Sequence, residues 1–181
     1  MKPRRFSSEA IVLLRKNYSE ADRILTVFSK DYGKLSLMAK GVRKPKSRKR
    51  GALEVFSQLR FSAARGKNLD IVTEVEIIDS FNSIRGDLKK VSVAYFFVET
   101  IEKLTREGEK NVEVYKLLLR YLGNLNTSDS LRKLRELYIY DALVLLGYWP
   151  KGKKLDNPDQ ALENVTERNM ASVRVGKELQ G

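Results

Sequence analysis

The sequence predicts an α+β protein, a small N-terminal β-barrel followed by an all-α helical domain. Three observations predict it. Up to about residue 78, short apolar runs alternate with a period of two and are separated by glycine-bearing turns. Beyond Ser80 the apolar period becomes 3.6. Charge divides at nearly the same place. Residues 1–67 hold 18 Lys and Arg against 5 Asp and Glu, whereas residues 68–181 are close to neutral, so the net +12 sits in the first third. The expected organisation is a barrel over 1–78, a helical domain over 79–150, and a short, polar, partly helical extension over 151–181.

The strands follow in order. Residues Glu9 to Arg15 form an apolar, β-branched start, and Arg23 to Ser29 read as a second strand. Lys30-Asp31-Tyr32-Gly33 is a hairpin turn in which Gly33 supplies positive φ. Lys34 to Ala39 returns with Leu35, Leu37 and Ala39 on one face. A long basic connection follows. Then Leu59 to Ala63 and Leu69 to Val75 flank a second glycine-bearing loop, Ala64 to Asn68. Five strands, two hairpins and one long connection fit a closed barrel of the OB-fold type.

The helices are equally ordered. Leu88, Val91, Ala94, Tyr95, Phe97, Val98, Ile101 and Leu104 trace one apolar stripe that ends near Gly108. Asn111 is placed to cap a second helix, with Val114, Tyr115, Leu118, Leu119 and Leu122 inward. A third begins around Thr127-Ser128-Asp129 and stops at Gly147, with Pro150 just beyond. Asn157-Pro158-Asp159-Gln160 reads as a cap, a first-turn proline and a glutamine closing a capping box.

Composition removes whole classes of chemistry. The chain has no Cys and no His. Disulfides, thiolate or imidazole catalysis and Cys or His metal sites are therefore excluded. The five-residue apolar stretch after Arg4 and Arg5 is shorter than a signal-peptide core. No later run approaches the ~20 residues of a membrane span. The expected location is cytoplasmic and nucleoid-associated, with no membrane partner. Gly147 to Lys153 matches a Walker A pattern up to its eighth place, where Lys154 stands instead of the Ser or Thr that holds Mg²⁺. The loop also follows a helix, so it is a helix stop and not a phosphate cradle. Glu74 and Glu76 would share a strand face with Asp79 nearby. They could hold Mg²⁺ for phosphoryl transfer, but a solvated edge balancing a basic surface is the reading that their pattern favours. The sequence is thus expected to be no enzyme, with no cofactor and no metal.

The strongest signal is Lys40 to Arg50, with seven cations in eleven residues and no anion. A barrel of this size cannot bury its cations, so they create a continuous positive potential suited to a polyanion. Gly41, Pro45 and Gly51 keep the stretch out of regular structure, as an arm able to track a phosphate backbone. The candidate DNA-binding set is Arg4, Arg5, Arg15, Lys40, Arg43, Lys44, Lys46, Arg48, Lys49 and Arg50. Tyr18 and Tyr32 are the aromatics placed to stack on bases. Phe28 and Phe61 are expected in the core. In the helical half, Arg132, Lys133 and Arg135 form either an exposed face with snorkelling stems or a cationic rim for an acidic-hydrophobic peptide. Phosphate contacts carry no sugar information, so an RNA-binding module and a Mg²⁺-dependent phosphoryl-transfer enzyme stand as alternatives.

Several segments resemble the bacterial recombination mediator RecO family. They are Ala10 to Leu13 with Tyr18 to Leu25, Val27-Phe28-Ser29 with Gly33-Lys34-Leu35, Ala39 to Pro45 with Gly51-Ala52-Leu53 and Phe56, and Leu146 to Pro150. The resemblance is strong over 7–81, moderate to 150 and absent afterwards. It implies an OB-fold and a helical domain that bind single- and double-stranded DNA and anneal complementary strands. It also implies action with RecR to load RecA on strands coated by single-stranded-DNA-binding protein, whose acidic C-terminal tail the helical domain recognises. By resemblance, Lys40, Arg43 and Lys44 are DNA contacts, and Arg132 and Arg135 stand at the tail site. Many members carry a four-cysteine zinc module after the Gly-Tyr-x-Pro motif. Lys151 to Asp156 replaces it here, so the chain reads as a short form lacking that module.

Overall fold

The computed structural model describes residues 4–47, 49, 51 and 53–166. Five strands, β1 (Arg5–Tyr18), β2 (Asp22–Ser29), β3 (Gly33–Ala39), β4 (Gln58–Ala64) and β5 (Asp70–Asp79), close into a barrel in the order β1-β2-β3-β5-β4. Neighbours are antiparallel except β3 and β5, which meet in parallel through Leu37 with Asp70 and Met38 with Ile71. This is the OB-type barrel that the alternation predicts. Phe6, Ala10 and Val12 of β1 point inward with Leu25, Val27, Leu37, Leu59 and Phe61 from the other strands. Burying each large side chain contributes roughly 1.5–3 kcal/mol.

One irregularity in β1 matters for everything outside the barrel. Its pairing with β2 runs Val12 with Val27 and then Leu14 with Thr26, so Leu13 is an extra, bulged residue. A one-residue insertion reverses which side chains face the core. Before it, even-numbered residues point inward. After it, Arg15 lies opposite inward-facing Leu25, while Lys16 and Tyr18 lie opposite Ile24 and Asp22 on the outer face.

The long connection between β3 and β4 is not the loose arm that its Gly and Pro content suggests. Val42 and Leu53 are fully buried in the barrel core. The Gly41 N–H donates to Asp22 Oδ1 at 2.7 Å and the Arg43 N–H to Ala21 O at 2.9 Å. Val42 within the basic stretch and Leu53 just after it thus clip the connection to the core, and the loop between β1 and β2 holds it from the other side.

Contacts divide the chain into two compact units. The first joins the barrel to residues Thr105–Tyr115. That segment is stitched onto β3. The Gly108 N–H donates to Lys34 O at 2.8 Å, the Ser36 N–H donates to Glu107 Oε1 at 2.9 Å, and Lys34 Nζ donates to Thr105 O. Gly33, at φ +70°, is as necessary here as the turn signal implies. A Cβ on it would lie 1.9 Å from Glu109 O. Tyr115 completes the stitch, its hydroxyl accepting from Gln58 Nε2 at 2.9 Å and donating to Glu9 Oε2 at 3.4 Å. Burial, together with the Glu9 charge, pushes this phenol up to about 12.

The second unit holds α1 (Asn82–Arg85), α2 (Leu88–Leu104), most of α3 (Val112–Asn124), α4 (Leu131–Leu145) and α5 (Pro158–Val165). Asn111 caps α3 through Oδ1, and Ser130, slightly later than expected, caps α4. The stripe on α2 is rotated from the expected one. Leu88 and Tyr95 are exposed, and Phe96 is buried instead. Phe96 and Phe97 pack edge-on or tilted against Tyr138, whose hydroxyl donates to Phe97 O. α4 stops as predicted at Gly147 (φ +80°), where the Tyr148 and Trp149 N–H groups both reach Leu143 O. Asn157 caps α5, but the Gln160 amide donates to Asn164 Oδ1, so the expected capping box is half-formed.

Candidate nucleic-acid interface

Strand register places the candidate residues around the barrel. At one end lie the close of β1, the start of β2 and the end of β3. They bring together Lys16, Tyr18 and Lys40, and the clipped connection adds Arg43, Lys44 and Lys46. At the other end of β3 lies the β2–β3 turn with Tyr32, and Arg4 and Arg5 stand at the start of β1, paired with the end of β4. The length of β3 sets Tyr32 about 20 Å from Lys40, whereas Arg5 is linked through Ala64 and Ile71 to Met38 by strand register. Arg48 and Arg50 lie outside the described residues.

The first end has the composition of a nucleic-acid platform. Tyr18 is 51% exposed. Across the outer face, Lys16 pairs with Ile24 and Ile24 with Met38, both of which are half-buried. An aromatic and two apolar side chains are therefore flanked by ammonium groups. Lys16, Lys40, Lys44 and Lys46 are exposed, and their ammonium groups make no hydrogen bond or ion pair with another described residue.

Other cations of the set are already occupied. Arg43 donates to Ser19 O at 2.9 Å, which rigidifies the β1–β2 loop and leaves the rest of its guanidinium at the surface. Lys49 Nζ donates to Thr73 O at 2.7 Å on β5. Arg15 turns toward the barrel mouth and pairs with Glu54. Lys16 is the outward-facing cation that the sequence-derived set leaves out. Only the bulge at Leu13 puts it outside and Arg15 inside, and a bulge leaves no reliable mark on a run of apolar residues.

Arg4 and Arg5 are exposed, but Tyr32 is half-buried with its ring 5.0 Å from Phe6, edge to face. Arg65 stacks on the same Phe6 ring at 4.2 Å and pairs with Asp70 at 2.6 Å. Tyr32 is thus part of the barrel wall, and its ring is not displayed as a base platform.

The two arginines of the helical unit also separate. Arg132 is exposed and pairs with Glu136 at 3.1 Å. It lines an open cleft with Lys133, Leu137, Tyr140 and Leu155, and with the carboxylates of Glu136 and Asp156. Arg135 is 4% exposed, stacked over Phe96 at 4.1 Å and paired with Asp159 of α5. It cannot form a surface rim, because its guanidinium is consumed inside the unit. On β5, Glu76 pairs with Arg60 at 3.0 Å, and Glu74 is exposed opposite Ser62. Among the described residues, no group of three or more acidic side chains is arranged to hold a metal ion.

Residues 1–81 match the family described as Recombination protein O N terminal, and residues 85–154 match Recombination protein O C terminal. Between them they take in most of the chain. The chain belongs to the recombination protein O family. Similar relatives bear the name DNA repair protein RecO. That of Pelotomaculum thermopropionicum is 39% identical over 145 residues, which are 80% of this chain and 56% of the relative. That of Moorella thermoacetica is 37% identical over 152 residues, 82% and 55% of the two chains. That of Dehalococcoides mccartyi is 34% identical over 165 residues, 91% and 65%. The chain spans a little over half the length of most curated RecO relatives it matches. Within the described residues of this RecO-family chain, no helix is long and apolar enough to cross a membrane.

Proposed function

We propose that this chain acts in DNA repair and recombination by binding single-stranded DNA on the outer face of its barrel. There it would anneal complementary strands and help load RecA on strands coated by single-stranded-DNA-binding protein. The observation that carries the reading is the convergence of Tyr18 with Lys16, Lys40, Lys44 and Lys46 on one end of the barrel. Ammonium groups there neutralise phosphate while the tyrosine stacks on a base. Neutralising two strands at once lowers their mutual repulsion, and this is the physical basis of annealing. Family membership and the names of the relatives support the repair role. The cleft lined by Arg132 and Leu137 supports recognition of an acidic, apolar protein tail. RecR is the further partner that the family reading implies.

The test is a salt titration of binding to labelled single-stranded DNA. With about five cations engaged, log affinity falls against log salt with a slope near −3.5. Substituting Lys40→Ala, Lys44→Ala and Lys46→Ala together weakens binding to all sequences and flattens the slope by about 2. A flat salt response overturns the reading. An RNA oligonucleotide that outcompetes its DNA counterpart transfers it to RNA.

A further inference from the structure

The loop that fails as a phosphate cradle, Gly147 to Lys154, builds something else. Together with α5 it borders an open cleft of about 400 Å³ lined by Tyr148, Trp149, Lys153, Lys154, Gln160 and Asn164 among others. That volume falls within the range of small-ligand sites. Its parts are held in place. The Trp149 indole N–H donates to Lys153 O at 3.0 Å, and the Lys153 ammonium lies 5.1 Å from the indole centroid. The Gly152 N–H donates to Tyr140 Oη at 2.7 Å, which fixes the turn between them. Tyr148 stands 49% exposed at the rim.

The lining combines three chemistries. Tyr148 and Trp149 offer π-surfaces. Lys153 and Lys154 offer positive charge, although Asp156 also lines the cleft and pairs with Lys154 at 2.8 Å. Gln160 Nε2 donates to Asn164 Oδ1 at 3.1 Å. This leaves Gln160 Oε1 as an acceptor beside Asn164 Nδ2 as a donor, neither bonded to another described residue. A donor next to an acceptor is what the edge of a nucleobase matches. Leu143, Leu155 and Val165 also line the cleft, but a peptide side chain that met only these would leave the donor–acceptor pair unused. A base with its phosphate therefore fits better than an acidic, apolar peptide.

We propose that this cleft takes one nucleotide of a single strand, its base stacked on Tyr148 or Trp149 and held at its edge by Gln160 and Asn164, its phosphate met by Lys153. The site rests on the chain meeting single-stranded nucleic acid, as proposed above, but on none of the barrel's cations. It gives the helical unit a nucleic-acid contact of its own.

Trp149 is the single tryptophan of the chain, so its fluorescence reads this cleft. The full chain is titrated with an oligothymidylate of about twelve nucleotides, within the usual reach of such sites. Tryptophan emission and the anisotropy of the labelled oligonucleotide are followed in parallel. Saturable quenching is expected. It persists, at higher oligonucleotide concentration, in the Lys40→Ala, Lys44→Ala, Lys46→Ala protein. Tyr148→Ala and, separately, Gln160→Ala with Asn164→Ala weaken the quenching about tenfold, with unchanged melting curves as the control for folding. Anisotropy that rises without quenching overturns this site alone. Absence of both signals overturns it together with the nucleic-acid reading. Quenching by an acidic, apolar peptide and not by the oligonucleotide reassigns the cleft to a protein partner and overturns the proposal.

Discussion

Tyr18 separates stacking from charge at the scale of a single side chain. Its ring is half exposed on a strand end that barrel pairing fixes. Tyr18→Ala is expected to weaken single-stranded DNA binding about tenfold and leave the salt slope alone. Lys16→Ala is expected to flatten that slope by about 0.7. Anisotropy titrations at several salt concentrations check both. Arg135 shows the opposite case, a cation that sequence alone places at a surface and packing places in a core. Its partner Asp159 and the Phe96 ring leave it 4% exposed. Arg135→Ala strands the Asp159 charge and leaves a gap over Phe96. A loss of about 3–5 kcal/mol is expected in denaturant unfolding, the range for one broken partner of a buried pair. Peptide binding at the cleft near Arg132 should survive in whatever fraction remains folded.

Among the elements, β3 carries the tightest constraint. Gly33 combines a left-handed backbone with the close approach of Glu109 O, so Gly33→Ala meets both strain and a clash. The expected cost is at least about 2 kcal/mol, seen as a lower denaturant midpoint, with residues 105–110 losing amide-exchange protection first. The turn at Gly33 was legible from the local run of residues, because a hairpin needs positive φ there. The clash was not, because Glu109 is remote in the chain. The five strands and the helix caps at Asn111 and Asn157 were likewise legible, since period and capping chemistry are local properties. The phase of β1 past Leu13 and the burial of Val42 and Leu53 in the basic connection were not. An apolar residue in a cationic run has no assigned depth until a barrel closes around it.

Over the whole molecule, the phenols link stability to pH. Burial first, with neighbouring charge, raises Tyr115 to about 12 and raises Tyr121 and Tyr138 as well. An unfolded phenol ionises near 10, so between about 10 and 12 the unfolded chain has lost protons that the folded chain retains. Stability from these groups is therefore complete below pH 10 and is lost as pH rises through that window. Denaturant midpoints measured from pH 8 to 12 should stay level and then fall, and Tyr115→Phe should make the fall shallower. By itself the sequence determined the barrel followed by helices, the chemistry that a chain without Cys or His lacks, and the concentration of charge in the first third. Those follow from period, residue type and composition, which need no knowledge of distant contacts. Only the tertiary structure decided which cations face outward, that Arg135 is internal, that residues 105–115 belong with the barrel, and that the loop after α4 borders a cleft. Each of these depends on which remote residue a side chain meets, and that is set when the strands register and the helices pack.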